Sequence, residues 1–132
     1  MIVLDASAAV AVLLNIGPEA RRIRERISQP NETLHVPHLF EVEVLHALRR
    51  HNLGGALPAA RARLALNRLR ETRLIRYPHA PLLERIWDLR ENVTAYDAAY
   101  IALAEVLGAP LVTRDARLAQ SPSNRATVEL YQ

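Results

Sequence analysis

Short apolar runs alternate with helix-length segments along this chain, and that alternation is its tightest constraint. Ile2-Val3-Leu4, closed by Asp5, has the pattern of a strand buried on both faces. Asp5 and Ser7 can cap an Ala-rich helix over Ala6 to Leu14. Gly17-Pro18-Glu19 ends that helix and opens a second, to about Ser28, because Pro is favoured in a first turn. Gln29 to Glu32 reads as a loop and Leu34-His35-Val36 as a second strand. Helices follow from about Leu39 to Asn52, stopped by Gly54-Gly55, and from Pro58 to about Arg70. Leu74 to Tyr77 is a third strand, and Pro81 starts a helix to about Glu91. Thr94 caps a helix to Leu107, which Gly108 ends and Pro110 cannot continue. Leu111-Val112-Thr113 is a fourth strand, Asp115 starts a short helix, and Thr127 to Leu130 fits a fifth strand. The pattern predicts an α/β domain with a parallel sheet covered on both faces. With no internal repeat, low-complexity tract or linker, residues 1–132 read as a single domain.

Composition narrows the chemistry. Half the residues are hydrophobic but only 5% are aromatic, so the core must be built from Leu, Val, Ile and Ala. The absence of Cys removes disulfides, thiolate metal sites and thiol catalysis, and suits a reducing cytoplasm. All 17 Lys-plus-Arg residues are Arg. Without Lys there is no Walker P-loop and no Schiff-base chemistry. The net charge of +3 leans toward polyanions, which Arg grips through its bidentate fork, although a codon bias toward Arg accounts for the composition equally well. The apolar run from Ala6 to Ile16 is too short to span a bilayer, and Asp5 rather than a basic residue precedes it. The expectation is a cytoplasmic protein with no membrane association.

Four carboxylates stand where ligands bind in such a sheet, outside the carboxyl ends of the strands. Asp5 and Asp115 lie just past the predicted first and fourth strands, Asp97 in the first turn of the helix before the fourth strand, and Glu43 early in the helix after the second. Capping alone accounts for each Asp taken singly, and Thr94-Ala95-Tyr96-Asp97 matches a capping box. Yet Asp97 opens a helix that is apolar nearly all round, and a buried carboxylate without compensation is expensive. Gathered acids raise one another's pKa, a conflict that a hard, oxygen-seeking cation such as Mg²⁺ or Mn²⁺ removes. Glu41 and Glu43 point in nearly opposite directions on a helix, so only one can face such a site. The helix dipole already accounts for Glu41 in the first turn, which leaves Glu43 as the candidate ligand.

The whole chain resembles the PIN-domain superfamily, and within it the VapC-type toxins. Val3-Leu4-Asp5-Ala6-Ser7-Ala8 resembles the family's first motif. Val36 to Leu45 followed by Ala47-Leu48-Arg49-Arg50 is similar to the second, with the family's acid aligned on Glu43. Thr94 to Tyr100 with Ala102-Leu103-Ala104 matches the third, and Leu111 to Ala119 resembles the fourth. One departure is His46, where many members carry Asn; a helical His is ordinarily a surface or packing residue, and all five His residues read as structural.

The resemblance implies a five-stranded parallel sheet in the order 3-2-1-4-5 and endonucleolytic cleavage of RNA with Mg²⁺ or Mn²⁺, leaving a 5′-phosphate and a 3′-hydroxyl. It makes Asp5, Glu43, Asp97 and Asp115 catalytic metal-binding residues, with Asp5 and Asp97 as direct ligands. Ser7 and Thr113 would orient the carboxylates. Arg114 and Arg117, beside Asp115, are candidate RNA contacts or partners of the acids, whereas Arg21 to Arg26 read as a solvated face. The implied partners are RNA, a second copy of the chain and a cognate VapB antitoxin that covers the active site. Other readings are a housekeeping RNA-processing nuclease of the same fold and a silent RNA-binding member, whose mark would be a missing acid. Receiver domains and haloacid-dehalogenase-like phosphatases need a Lys, and the phosphatases an Asp-x-Asp, that this chain lacks.

Overall fold

The apolar runs become the strands of one parallel sheet, and the computed structural model describes residues 1–132. In chain order the elements are β1 (Ile2–Leu4), α1 (Ala6–Leu14), α2 (Glu19–Ile27), β2 (Leu34–Pro37), α3 (Phe40–Leu53), α4 (Ala59–Glu71) and β3 (Ile75–Tyr77), followed by a 3₁₀ turn (Ala80–Leu82), α5 (Leu83–Asp88), α6 (Ala95–Leu107), β4 (Leu111–Thr113), α7 (Ala116–Gln120) and β5 (Val128–Leu130). The strand order is β3-β2-β1-β4-β5 and every pairing is parallel, as the resemblance implies. Ile2, Val3 and Leu4 in the centre, and Leu111, Val112 and Thr113 beside them, are buried on both faces. α1 packs with α2, α3 and α4, while α6 lies against β1, β2 and β4 and carries α5.

The core is Leu, Val, Ile and Ala, with Phe40 and Tyr100 its only fully buried Phe, Tyr or Trp rings. Full burial of one Leu or Ile side chain is worth about 1.5–3 kcal/mol, so a core low in aromatics still holds the sheet. Along α6, Ala98 to Ala104 are buried without a break, and the four alanines among them let the helix lie close to the strands. Thr94 caps α6 by accepting the Asp97 amide at 3.2 Å, and Gly108 closes it in a left-handed conformation at φ 61°.

Three local expectations change. The helix from Pro81 to Glu91 is a 3₁₀ turn followed by α5, which stops at Asp88. The buried Leu89 donates its N–H to Arg85 and Ile86, and the chain turns there. Pro37 is the last residue of β2, paired with Tyr77. The β1 pairing with β2 has ended at His35, so no ladder needs the missing Pro N–H. Asp5 occupies the N-cap position of α1 without making a side-chain cap, because two hydroxyls hold its carboxylate elsewhere.

Candidate active site

β1 and β4 end side by side, and their carboxyl ends deliver Asp5 and Asp115 to the same cleft, of about 680 Å³. Glu43 enters it from the first turn of α3 and Asp97 from the first turn of α6. The structure thus brings all four carboxylates together from four separate segments.

Asp5 is the most buried, 5% exposed. Its Oδ2 accepts from Ser7 Oγ at 2.5 Å and from Thr113 Oγ1 at 2.7 Å. The two hydroxyls also fix the β4–α7 turn, since Arg114 N–H donates to Ser7 Oγ and Asp115 N–H to Thr113 Oγ1. Burial raises the Asp5 pKa above the ordinary carboxylate range; the Ser7 and Thr113 bonds oppose the rise and Asp115 adds to it. Glu43 Oε1 accepts from the buried Tyr100 hydroxyl at 2.6 Å. Its pKa is raised by burial and then by Asp5 and Asp97, against the Tyr100 bond. Asp97 is raised by burial, then by Asp5 and Asp115. Asp115 goes the other way. Arg117 lies across it, Nε at 3.0 and 3.1 Å from the two carboxylate oxygens and Nη2 at 2.6 Å from Oδ2, and holds its pKa below the usual range. Asp115 also caps α7 through the Arg117 amide.

No three of these acids stand in a metal-ligating arrangement, and Asp5, Glu43 and Asp115 each also accept from hydroxyl or guanidinium donors. What the cleft has is a set of hard oxygen donors whose mutual repulsion and burial a divalent cation would relieve. Glu41, by contrast, pairs with Arg76 at 2.6 Å and is not among the cleft residues.

Both candidate RNA-contacting arginines line the cleft and both have carboxylate partners, Arg117 with Asp115 and Arg114 with Glu19. Glu19, the partner of a cleft arginine, is a residue that the sequence does not announce. Its side chain is 7% exposed, and its carboxylate fills the space beside Gly17 that a Cβ would occupy. The only hint is the Gly-Pro-Glu turn. His46, Arg50, His51 and Tyr96 also line the cleft. The spacing of Glu43, His46 and Arg50, at i, i+3 and i+7, would have placed them on one helix face. His35 is structural, buried between Thr33 and Tyr77, and His79 accepts the Leu39 amide.

Residues 2–122 match the PIN domain family. The chain is 49% identical over 121 residues to a VapC ribonuclease of Mycobacterium bovis, covering 92% of this chain and 91% of that one. Two solved structures share the fold over the full length of both chains. VapC20 of Mycobacterium tuberculosis, a sarcin-ricin loop cleaving toxin, matches at a TM-score of 0.74 and 15% identity. VapBC2 of Rickettsia felis, bound to a DNA fragment from their promoter, matches at 0.71 and 16%. With Asp5, Glu43, Asp97 and Asp115 gathered at the carboxyl edge of a 3-2-1-4-5 sheet, and with that similarity along nearly its whole length, this chain belongs to the PIN-domain family, among the VapC ribonucleases.

Proposed function

We propose that this chain is the toxin of a type II toxin–antitoxin pair, a single PIN domain that cuts RNA internally with Mg²⁺ or Mn²⁺. The observation that carries the site assignment is the convergence of four carboxylates, three of them raised in pKa by burial and by one another. Asp5 and Asp97 would hold the cation, with Glu43 and Asp115 completing an all-oxygen set. When bound, the cation supplies water activation and neutralises charge on the phosphate. The chain's own groups do the rest. Ser7 and Thr113 fix Asp5 through Oδ2, and Tyr100 fixes Glu43. Arg114, tied back by Glu19, presents a cation near the acids, and Arg117 must leave Asp115 before that carboxylate can take part.

The partners are RNA, a second copy of the chain, and a VapB-type antitoxin that covers the cleft. The VapC ribonuclease relative and the Rickettsia VapBC2 structure support the antitoxin. No helix is long and apolar enough to cross a membrane, and an RNA substrate implies action in the cytoplasm.

Protein purified free of antitoxin should cut total RNA with Mg²⁺ or Mn²⁺ and stop in chelator. Asp97→Asn should lose at least about 100-fold, more than loss of a group that only orients a metal ligand. Glu41→Gln should keep its activity, because Glu41 faces Arg76. Cutting that persists in chelator, or in Asp97→Asn, overturns the metal site. Toxicity on expression, relieved by a small neighbouring protein, separates a toxin from a processing nuclease.

A further inference from the structure

We propose that His46, Arg50 and His51 on α3, with Tyr96 at the start of α6 lining the same cleft, form a subsite for single-stranded RNA beyond the bond being cut. Arg50 takes a backbone phosphate and Tyr96 stacks on an unpaired base. The inference rests on the ribonuclease reading and adds to it the residues that grip the strand beyond the cut bond.

The floor of the cleft is anionic, so it repels the strand it must receive. Affinity for a polyanion has to come from cations flanking that floor. Three arginines line the cleft. Arg114 is spent on Glu19 and Arg117 on Asp115, whereas Arg50 has no carboxylate partner. His46 and Arg50 follow Glu43 on the same face of α3, and Arg50 lies about 10 Å along the helix from it at 1.5 Å per residue. The path therefore leads away from the reacting phosphate.

A helix C-terminus favours cations anyway, and Arg50 and His51 stand in the last turn of α3, but that favours no one side of the helix. Arg49 borders a different groove, between α3 and α4, with Leu45 and Leu66. Only the Arg50 side of the helix faces the acids.

Tyr96 is 66% exposed at the start of α6, one residue before Asp97, and makes no side-chain hydrogen bond. Few aromatics are present in this chain, and this one lies outside the core against an anionic cleft. A π-face there takes any base that has left its stack, and a paired base cannot reach it.

The test uses the full-length Asp97→Asn protein, which retains the cleft but does not cut, with Mg²⁺ present. Binding of a labelled single-stranded RNA and of the same sequence as a duplex is followed by fluorescence anisotropy across a salt series. Arg50→Ala should weaken single-strand binding about tenfold and reduce the slope of log K against log salt by about 0.7, the share of a single phosphate. Tyr96→Leu should weaken binding about tenfold without changing that slope. Arg49→Ala should match the parent in both. In the cutting enzyme Arg50→Ala should raise KM on long RNA and leave kcat in place. Equal binding by Arg50→Ala and Arg49→Ala, unchanged binding by Tyr96→Leu, or a duplex bound as tightly as the single strand overturns the subsite. So does an Arg50→Ala protein that keeps its RNA affinity but loses its grip on the antitoxin. Wild-type protein that neither binds nor cuts RNA fails earlier, and takes the ribonuclease reading with it.

Discussion

Tyr100 carries a single hydroxyl into an otherwise apolar stretch of α6, and that hydroxyl donates to Glu43 Oε1 at 2.6 Å. Burial, Asp5 and Asp97 push the Glu43 pKa up, and the Tyr100 bond pulls it down against them. Tyr100→Phe keeps the ring and removes the donor, so Glu43 should become harder to ionise. The acid limb of the pH–rate profile should move to higher pH, and the fold should lose on the order of 1 kcal/mol. A profile that overlays the wild type would show that Glu43 does not act as a carboxylate in the reaction. Neither the burial of Tyr100 nor its partnership with Glu43 was legible, because nothing local couples α6 to α3. The Glu41 and Glu43 choice was legible, since helical geometry alone sends them apart, and the structure pairs Glu41 with Arg76. The expected capping of α1 by the Asp5 side chain does not form, because the two hydroxyls that take its carboxylate include one on β4, far away in the chain.

At the scale of elements, the joint between α1 and α2 ties backbone shape to the cleft. Gly17 sits at φ +74°, and a Cβ there would meet the Glu19 carboxylate at 2.5 Å. Glu19 is where it is because it reaches Arg114, so the turn, the acid and the cleft arginine form one unit. Gly17→Ala should cost about 1–2 kcal/mol from the left-handed backbone alone. It should also strengthen RNA binding, as Glu19 is displaced and Arg114 is released from its carboxylate. Chemical denaturation with RNA titration of the same protein checks both; a variant that loses stability yet binds RNA normally would separate the turn from the site. The start of α2 at Gly-Pro-Glu was readable from turn chemistry. The Arg114 partnership was not, since it depends on how α2 packs beside the β4 end. Strand and helix identities were legible from periodicity. Where α5 stops was not, because the buried Leu89 turns the chain by tertiary packing that its pattern does not encode.

For the whole molecule, a fold that gathers Asp5, Glu43 and Asp97 accepts a stability cost that depends on pH. Their pKa values are raised, so near their titration range the folded chain binds more protons than the unfolded one. Their contribution to stability is present at low pH and is lost as pH rises through the folded values. Asp115 has the opposite sign: held down by Arg117, it contributes above its unfolded pKa and loses that contribution as pH falls through the folded one. Wherever the three raised acids are ionised, they are so at the fold's expense, and a cation that binds only their ionised form returns that cost. A ligand at about 100 times its Kd adds about 2.7 kcal/mol. Mn²⁺ should accordingly raise the melting temperature near neutral pH, by an amount that shrinks as pH falls into the range where these acids take up protons. Asp97→Asn removes one of the repelling charges, so without metal it should melt no lower than wild type, and Mn²⁺ should no longer shift it. A less stable Asp97→Asn that still responds fully to Mn²⁺ would mean that Asp97 supports the fold rather than the metal, and the convergence of the four acids would then need a structural cause.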